Sequence, residues 1–113
     1  MSNQNIARHA TLHAGVITAT GAGEAKVHGG PNVVVVLDIT AVSGTSPTLD
    51  VLIEEFDPAS GTYFTVDTFP QQTGVGTVRR TVTGPHGPFL RASWTLGGTA
   101  TPTVTCTIGM MAG

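Results

Sequence analysis

With 113 residues the chain can form one compact domain, burying roughly two-thirds of the surface its unfolded form exposes, and is too short for two cores. Charged residues make up only 11% and the formal charge is -2, which leaves no positive surplus to hold nucleic-acid phosphates or an anionic membrane surface. Thr, Val and Gly dominate while Lys, Glu and Gln are scarce, a mix that favours sheet over helix.

From Met1 to about His9 the chain is polar and patternless, as an arm that orders only on a partner would be. Its start, Met1-Ser2-Asn3-Gln4-Asn5, has no signal-peptide character, and the longest apolar run, Val33 to Leu37, is far below the roughly 20 residues of a membrane helix. A soluble, unexported chain is expected, with an arm over 1–10 and one domain over 11–113. Thr11 to Thr20 has room for one or two short strands before Gly21-Ala22-Gly23 and His28-Gly29-Gly30-Pro31-Asn32 interrupt the chain.

Val33 to Thr40 is β-branched almost throughout and predicts a central, buried strand. A second strand, about Thr48 to Phe56, ends at Asp57-Pro58-Ala59-Ser60-Gly61, where Pro presets φ and Gly supplies the positive φ of a turn, so Tyr63 to Phe69 should pair back antiparallel. Thr77 to Thr83 alternates Val78 and Val82 with Thr and Arg, and Gly84-Pro85-His86-Gly87-Pro88 breaks the chain again. In Phe89 to Leu96 the residues Leu90, Ala92, Trp94 and Leu96 share a face; in Thr103 to Ile108 so do Val104, Cys106 and Ile108, with Thr103, Thr105 and Thr107 opposite.

The stretch Thr40-Ala41-Val42-Ser43-Gly44-Thr45-Ser46-Pro47-Thr48-Leu49 is echoed by Thr95-Leu96-Gly97-Gly98-Thr99-Ala100-Thr101-Pro102-Thr103-Val104. Both read as hairpins of one design, with Pro at the first position of the returning strand, where its missing N–H breaks no ladder bond. Seven or eight antiparallel strands at this spacing predict a β-sandwich or jelly roll.

No set of residues assembles into a catalytic site. His9 and His13 have the i,i+4 spacing of a helical metal pair, but their neighbourhood is Thr- and Gly-rich and lacks a carboxylate or thiol. Asp50, Glu54, Glu55 and Asp57 lack EF-hand spacing, and strand alternation sends Glu54 and Glu55 to opposite faces, which disqualifies them as a converging acid/base pair. Gly21-Ala22-Gly23 lacks the third glycine of a dinucleotide loop. The lone Cys106 has no disulfide partner and sits on an apolar strand face, where a thiol acts as a small hydrophobe. No catalytic residue, cofactor or metal is therefore expected. Arg79 and Arg80 must point to opposite faces, and the shielded one calls either for an ion pair with Glu54, Glu55 or Asp67 or for a contact between subunits. Trp94 reads as a core anchor, while one of Tyr63, Phe64 and Phe69 must lie on the face opposite the others.

Three segments in this order, Thr40 to Val51, Gly84-Pro85 followed by Phe89-Leu90-Arg91, and Trp94-Thr95-Leu96-Gly97-Gly98-Thr99, resemble a type of small β-sandwich protein of tailed-bacteriophage particles. The resemblance covers Val33 to Gly109, about two-thirds of the chain. It implies a head decoration, or cement, protein on the capsid surface of the virion, made in the host cytoplasm, that bridges neighbouring subunits of the major capsid protein. Such proteins commonly assemble as homotrimers and use an extended N-terminal arm. Asn3, Gln4, Ile6 and Arg8 of the arm, with Arg79, Arg80 and His86, are the expected interface. The alternative is a carbohydrate- or receptor-binding module of a phage tail or fibre, with Tyr63 and the loops Gly29 to Asn32 and Gly84 to Pro88 as its site. A small hydrolase using Glu55 or Asp57 is the remaining alternative.

Overall fold

A computed structural model describes residues 9–27, 32–82, 87 and 89–112. The protein is all-β, with no helix among the described residues. Its strands are β1 (His9–Ile17), β2 (Gly21–Ala22), β3 (Lys26–Val27), β4 (Val33–Asp57), β5 (Thr62–Thr68), β6 (Gly76–Val82) and β7 (Phe89–Ala112), joined in one antiparallel sheet. β1 begins at His9, so His9 and Ala10 of the expected arm pair with Met111 and Met110.

Two strands of 25 and 24 residues organise everything else. β4 and β7 pair from Val33↔Ala112 to Glu55↔Leu90. Beside the first part of β4 lies β6, and beside the last part of β7 lies β1, which gives the order β6-β4-β7-β1. Beyond the middle of the ribbon, β5 replaces β6 next to β4, and β2 and β3 replace β1 next to β7. Between these halves, residues 40–48 and 95–103 have only each other as strand neighbours among the described residues.

This arrangement corrects the expected pair of hairpins. Neither echo segment reverses the chain: β4 and β7 run straight through them, and the two segments pair with one another, Val42↔Val104, Ser43↔Thr103, Thr45↔Thr99, Thr48↔Gly97 and Leu49↔Leu96. Ser46 and Pro47 bulge opposite Gly98, and Ala100, Thr101 and Pro102 bulge opposite Gly44. Positive φ at Gly44, Ser46, Gly98, Ala100 and Thr101 takes up the extra residues without ending either strand. Gly-Thr with a following Pro is thus a bulge signal here, not a turn signal.

The expected turn after Phe56 does form. Gly61 has φ +71 and its N–H donates to the Asp57 carbonyl at 2.8 Å, while the Asp57 carboxylate accepts from the Ala59 N–H at 3.1 Å and the Ser60 hydroxyl at 2.8 Å. An Asp at the turn's start therefore satisfies the backbone it exposes. β5 then returns beside β4 as expected, with Phe56↔Tyr63 and Leu52↔Thr68.

Period-two alternation places Val33, Val35, Leu37, Ile39, Leu49, Val51 and Ile53 of β4 in the core. Leu90, Ala92, Val104, Cys106, Ile108 and Met110 of β7 join them, so the faces expected for both halves of β7 are the observed ones. The single sheet curls around one cluster on its inner face, completed by Leu12, Ile17, Phe69 and Val82, with Trp94 and Leu96 packed at its margin. Truncating a side chain such as Leu37 to Ala should cost about 2–5 kcal/mol.

Polar contacts seal both margins of the curl. On one, Arg80 of β6 donates to the carboxylate of Asp67 on β5 through Nε (3.2 Å) and a terminal nitrogen (2.9 Å). On the other, the His13 ring of β1 lies 4.8 Å from Trp94 of β7, whose indole N–H donates to the Ala19 carbonyl at 3.1 Å.

Candidate binding face

All seven carboxylates of the chain are engaged locally. Glu24 pairs with Lys26, Asp38 accepts from the Thr77 hydroxyl, Asp50 from Gln71, and Glu54 from Arg91 at 2.8 Å. Glu55 accepts from the Gly87 N–H at 2.8 Å, Asp57 closes its own turn, and Asp67 binds Arg80. Glu54 lies on the outer face opposite Arg91, whereas Glu55 is occupied at the end of the sheet, so the two do not converge on a common point.

Arg79 and Arg80 do face opposite ways, since Val36 is the strand partner of Arg79 and the buried Val35 that of Arg80. Neither arginine is shielded as expected, for both are exposed; Arg80 lies at the open margin of the curl with its side chain 42% accessible, and it is the one with an ion-pair partner, Asp67, one of the three carboxylates named for it. Arg80's hydrogen bonds hold the Asp67 carboxyl below its ordinary range, with a smaller contribution from the Thr68 N–H. Arg79 is exposed and has no ion-pair partner among the described residues. Asn3, Gln4, Ile6, Arg8 and His86 lie outside the described residues, as does His28.

His9 and His13 do not share a helical face, because both are in β1 and a bulge falls between Thr11 and His13. His9 is paired with Met111, whereas His13 turns to Trp94, and no group of metal-ligating side chains occurs among the described residues. Cys106 is buried; desolvation, with some help from Asp38, pushes its thiol up to about 11, so it carries almost no thiolate at neutral pH.

The aromatic residues do not follow simple alternation, because a bulge in the β4–β5 pairing between Ile53 and Glu54 puts Tyr63 and Phe69 on opposite faces. Phe69 is buried and Phe64 is 51% exposed. Tyr63 is not a free platform: the Arg91 guanidinium sits 3.3 Å above its ring centroid and the Phe56 ring packs at 4.9 Å. Glu54, Arg91, Tyr63 and Phe56 thus form one closed stack on the outside of the β5-β4-β7 half.

The outside of the other half is different. Across β1, β7, β4 and β6 the outward rows read Thr11, Gly109, Val36, Arg79 and then His9, Met111, Val34, Thr81. The next row toward the ribbon is Ala14, Thr107, Asp38, Thr77. Met111 is 48% exposed and Val16 on the same side is 52% exposed. Gly109 contributes no side chain, and the gap becomes a shallow groove of about 270 Å³ lined by His9, Thr11, Val36 and Met111, with Ala10 and Met110 at its base. Asp38 and Arg79 are the only charged side chains in these rows.

Sequence reasoning missed this face because it read Val33 to Thr40 as a central, well-buried strand, whereas Val34, Val36 and Asp38 are only half-buried. It also stopped the last strand at Ile108. The signal was available: Ile108 and Met110 continue the two-residue period, and Met111 falls on the outer side.

Compared with models of known protein families and with curated proteins, the chain matches none.

Proposed function

We propose that this chain is a structural protein of a tailed-phage virion that decorates the head and stabilises it by bridging neighbouring capsid subunits. The observation that supports this reading best is the local engagement of every carboxylate, which leaves broad outer surfaces poor in charge and rich in Thr, Val and Gly. Covering such a surface with another protein desolvates few ions, so a wide contact costs little and needs no chemistry. The curled sheet, with its two halves closed on one core, suits a β-sandwich as the rigid body of such a clamp.

The arm expected over 1–10 overlaps β1 at His9 and Ala10, and His9 lines the groove. On this proposal the arm orders on the capsid, and a homotrimer supplies the multiplicity by which modest contacts add up to firm retention. Carbohydrate binding in a tail or fibre is less well supported, because the ring of its leading candidate, Tyr63, is already covered by Arg91. The test is the heat stability of purified empty heads, followed by calorimetry with and without saturating protein. Decoration should raise the temperature at which heads come apart, and an unchanged transition would refute the proposal.

A further inference from the structure

The outer face of β1, β7, β4 and β6 holds one cation and one anion, and neither meets an opposite charge among the described residues. Arg79 has no ion-pair partner among the described residues, and Asp38 is bound only by the neutral Thr77 hydroxyl at 2.9 Å. A surface that offers each sign once, spaced across Val34, Val36, Gly109 and Met111 and the neutral Thr11, Thr77, Thr81 and Thr107, is complementary in charge to a rotated copy of itself.

Its size is also sufficient. β1 has nine residues and β6 seven, so four strands about 4.8 Å apart, averaging about eight residues at roughly 3.3 Å, cover on the order of 500 Å². Two copies would bury about 1,000 Å², at the lower limit that separates specific interfaces from incidental contacts. The groove over Gly109 gives a partner's Met111 or Val36 somewhere to go, because, its two chain neighbours aside, no described residue lies within 4 Å of where a Cβ at Gly109 would stand.

We infer that this face joins copies of the chain to one another, with Arg79 of one copy meeting Asp38 of the next. The inference does not depend on the capsid and would hold for a free oligomer in solution. An interface near the lower size limit should dissociate in the micromolar range.

Light scattering on the full chain over a dilution series tests it, with circular dichroism to verify folding. The wild type should show a multiple of the chain mass. Gly109→Lys, which adds a cation without a clash in its own chain, should run as a single chain with an unchanged spectrum. Arg79→Asp should move the dissociation midpoint to at least about tenfold higher concentration, and adding Asp38→Arg should restore it. A wild type that stays monomeric, a Gly109→Lys variant that keeps its oligomeric mass, or a charge swap that fails to rescue would each overturn the inference.

Discussion

Gly44 of β4 lies against Pro102 of β7 so closely that a side-chain carbon at residue 44 would stand 2.7 Å from the Pro102 Cα. The relation recurs with the strands exchanged, for a carbon at Gly98 would stand 3.0 Å from the Pro47 Cα. Each strand's proline bulge rests on the other strand's glycine, and this reciprocal contact carries the ribbon from one half of the sheet to the other. Both glycines also have positive φ, +95 and +119, where an L side chain is strained even in open space.

Gly44→Ala should therefore destabilise the fold by about 2–4 kcal/mol, from backbone strain together with overpacking against Pro102. Gly98→Ala should behave alike. By contrast Gly74→Ala, with open space around the Cβ position, should change little. Urea unfolding of the three variants gives the comparison.

The Arg80–Asp67 contact makes a pH prediction. Because the Asp67 pKa is lowered in the folded state, its stabilisation is fully present above the ordinary value of 3.8 and is lost as pH falls through the folded value. Wild type should thus be modestly more stable than Asp67→Asn at neutral pH, and the difference should shrink below pH 3.8. Thermal melts at a series of pH values would show it; a gap that widens on acidification would contradict the assignment.

Much of this was legible in the sequence. The alternation of Leu90 with Ala92 and of Val104 with Cys106 and Ile108 reports burial directly, and Asp57 to Gly61 contains every residue its turn needs. Continuity was not legible. Gly44-Thr45-Ser46-Pro47 has the composition of a reversal, and only the partner strand, 50 or more residues away, decides that it becomes a bulge. The binding face was hidden for a related reason, since whether Val34 and Val36 meet a second layer depends on how the sheet curls. That Arg80 and not Arg79 finds an ion-pair partner depends likewise on Asp67 of β5 lying within reach of β6.

Cys106 should be unreactive while the chain is folded. Its thiol, raised to about 11 and buried beside Ile39, should resist an aromatic disulfide reagent at pH 8 and react in full once guanidinium unfolds the chain. Cys106→Ser, which puts a hydroxyl in that apolar position, should cost about 1–3 kcal/mol.

Tyr63→Ala separates a structural role from sugar recognition. Removing the ring strips Arg91 of its stacking surface and should lower stability by roughly 1 kcal/mol or more, from the lost cation–π contact and the lost packing against Phe56. Wild type and variant should give the same blank response on a glycan array. A glycan signal in the wild type that disappears in the variant would favour the tail or fibre reading.

The central claim is attachment to an assembled head, and co-sedimentation with empty phage heads tests it most directly. Increasing amounts of the purified protein should pellet with heads until a fixed ratio to capsid protein is reached, and free capsid subunits should not compete. Protein that stays in the supernatant at every concentration, or pellets without saturating, would contradict the account.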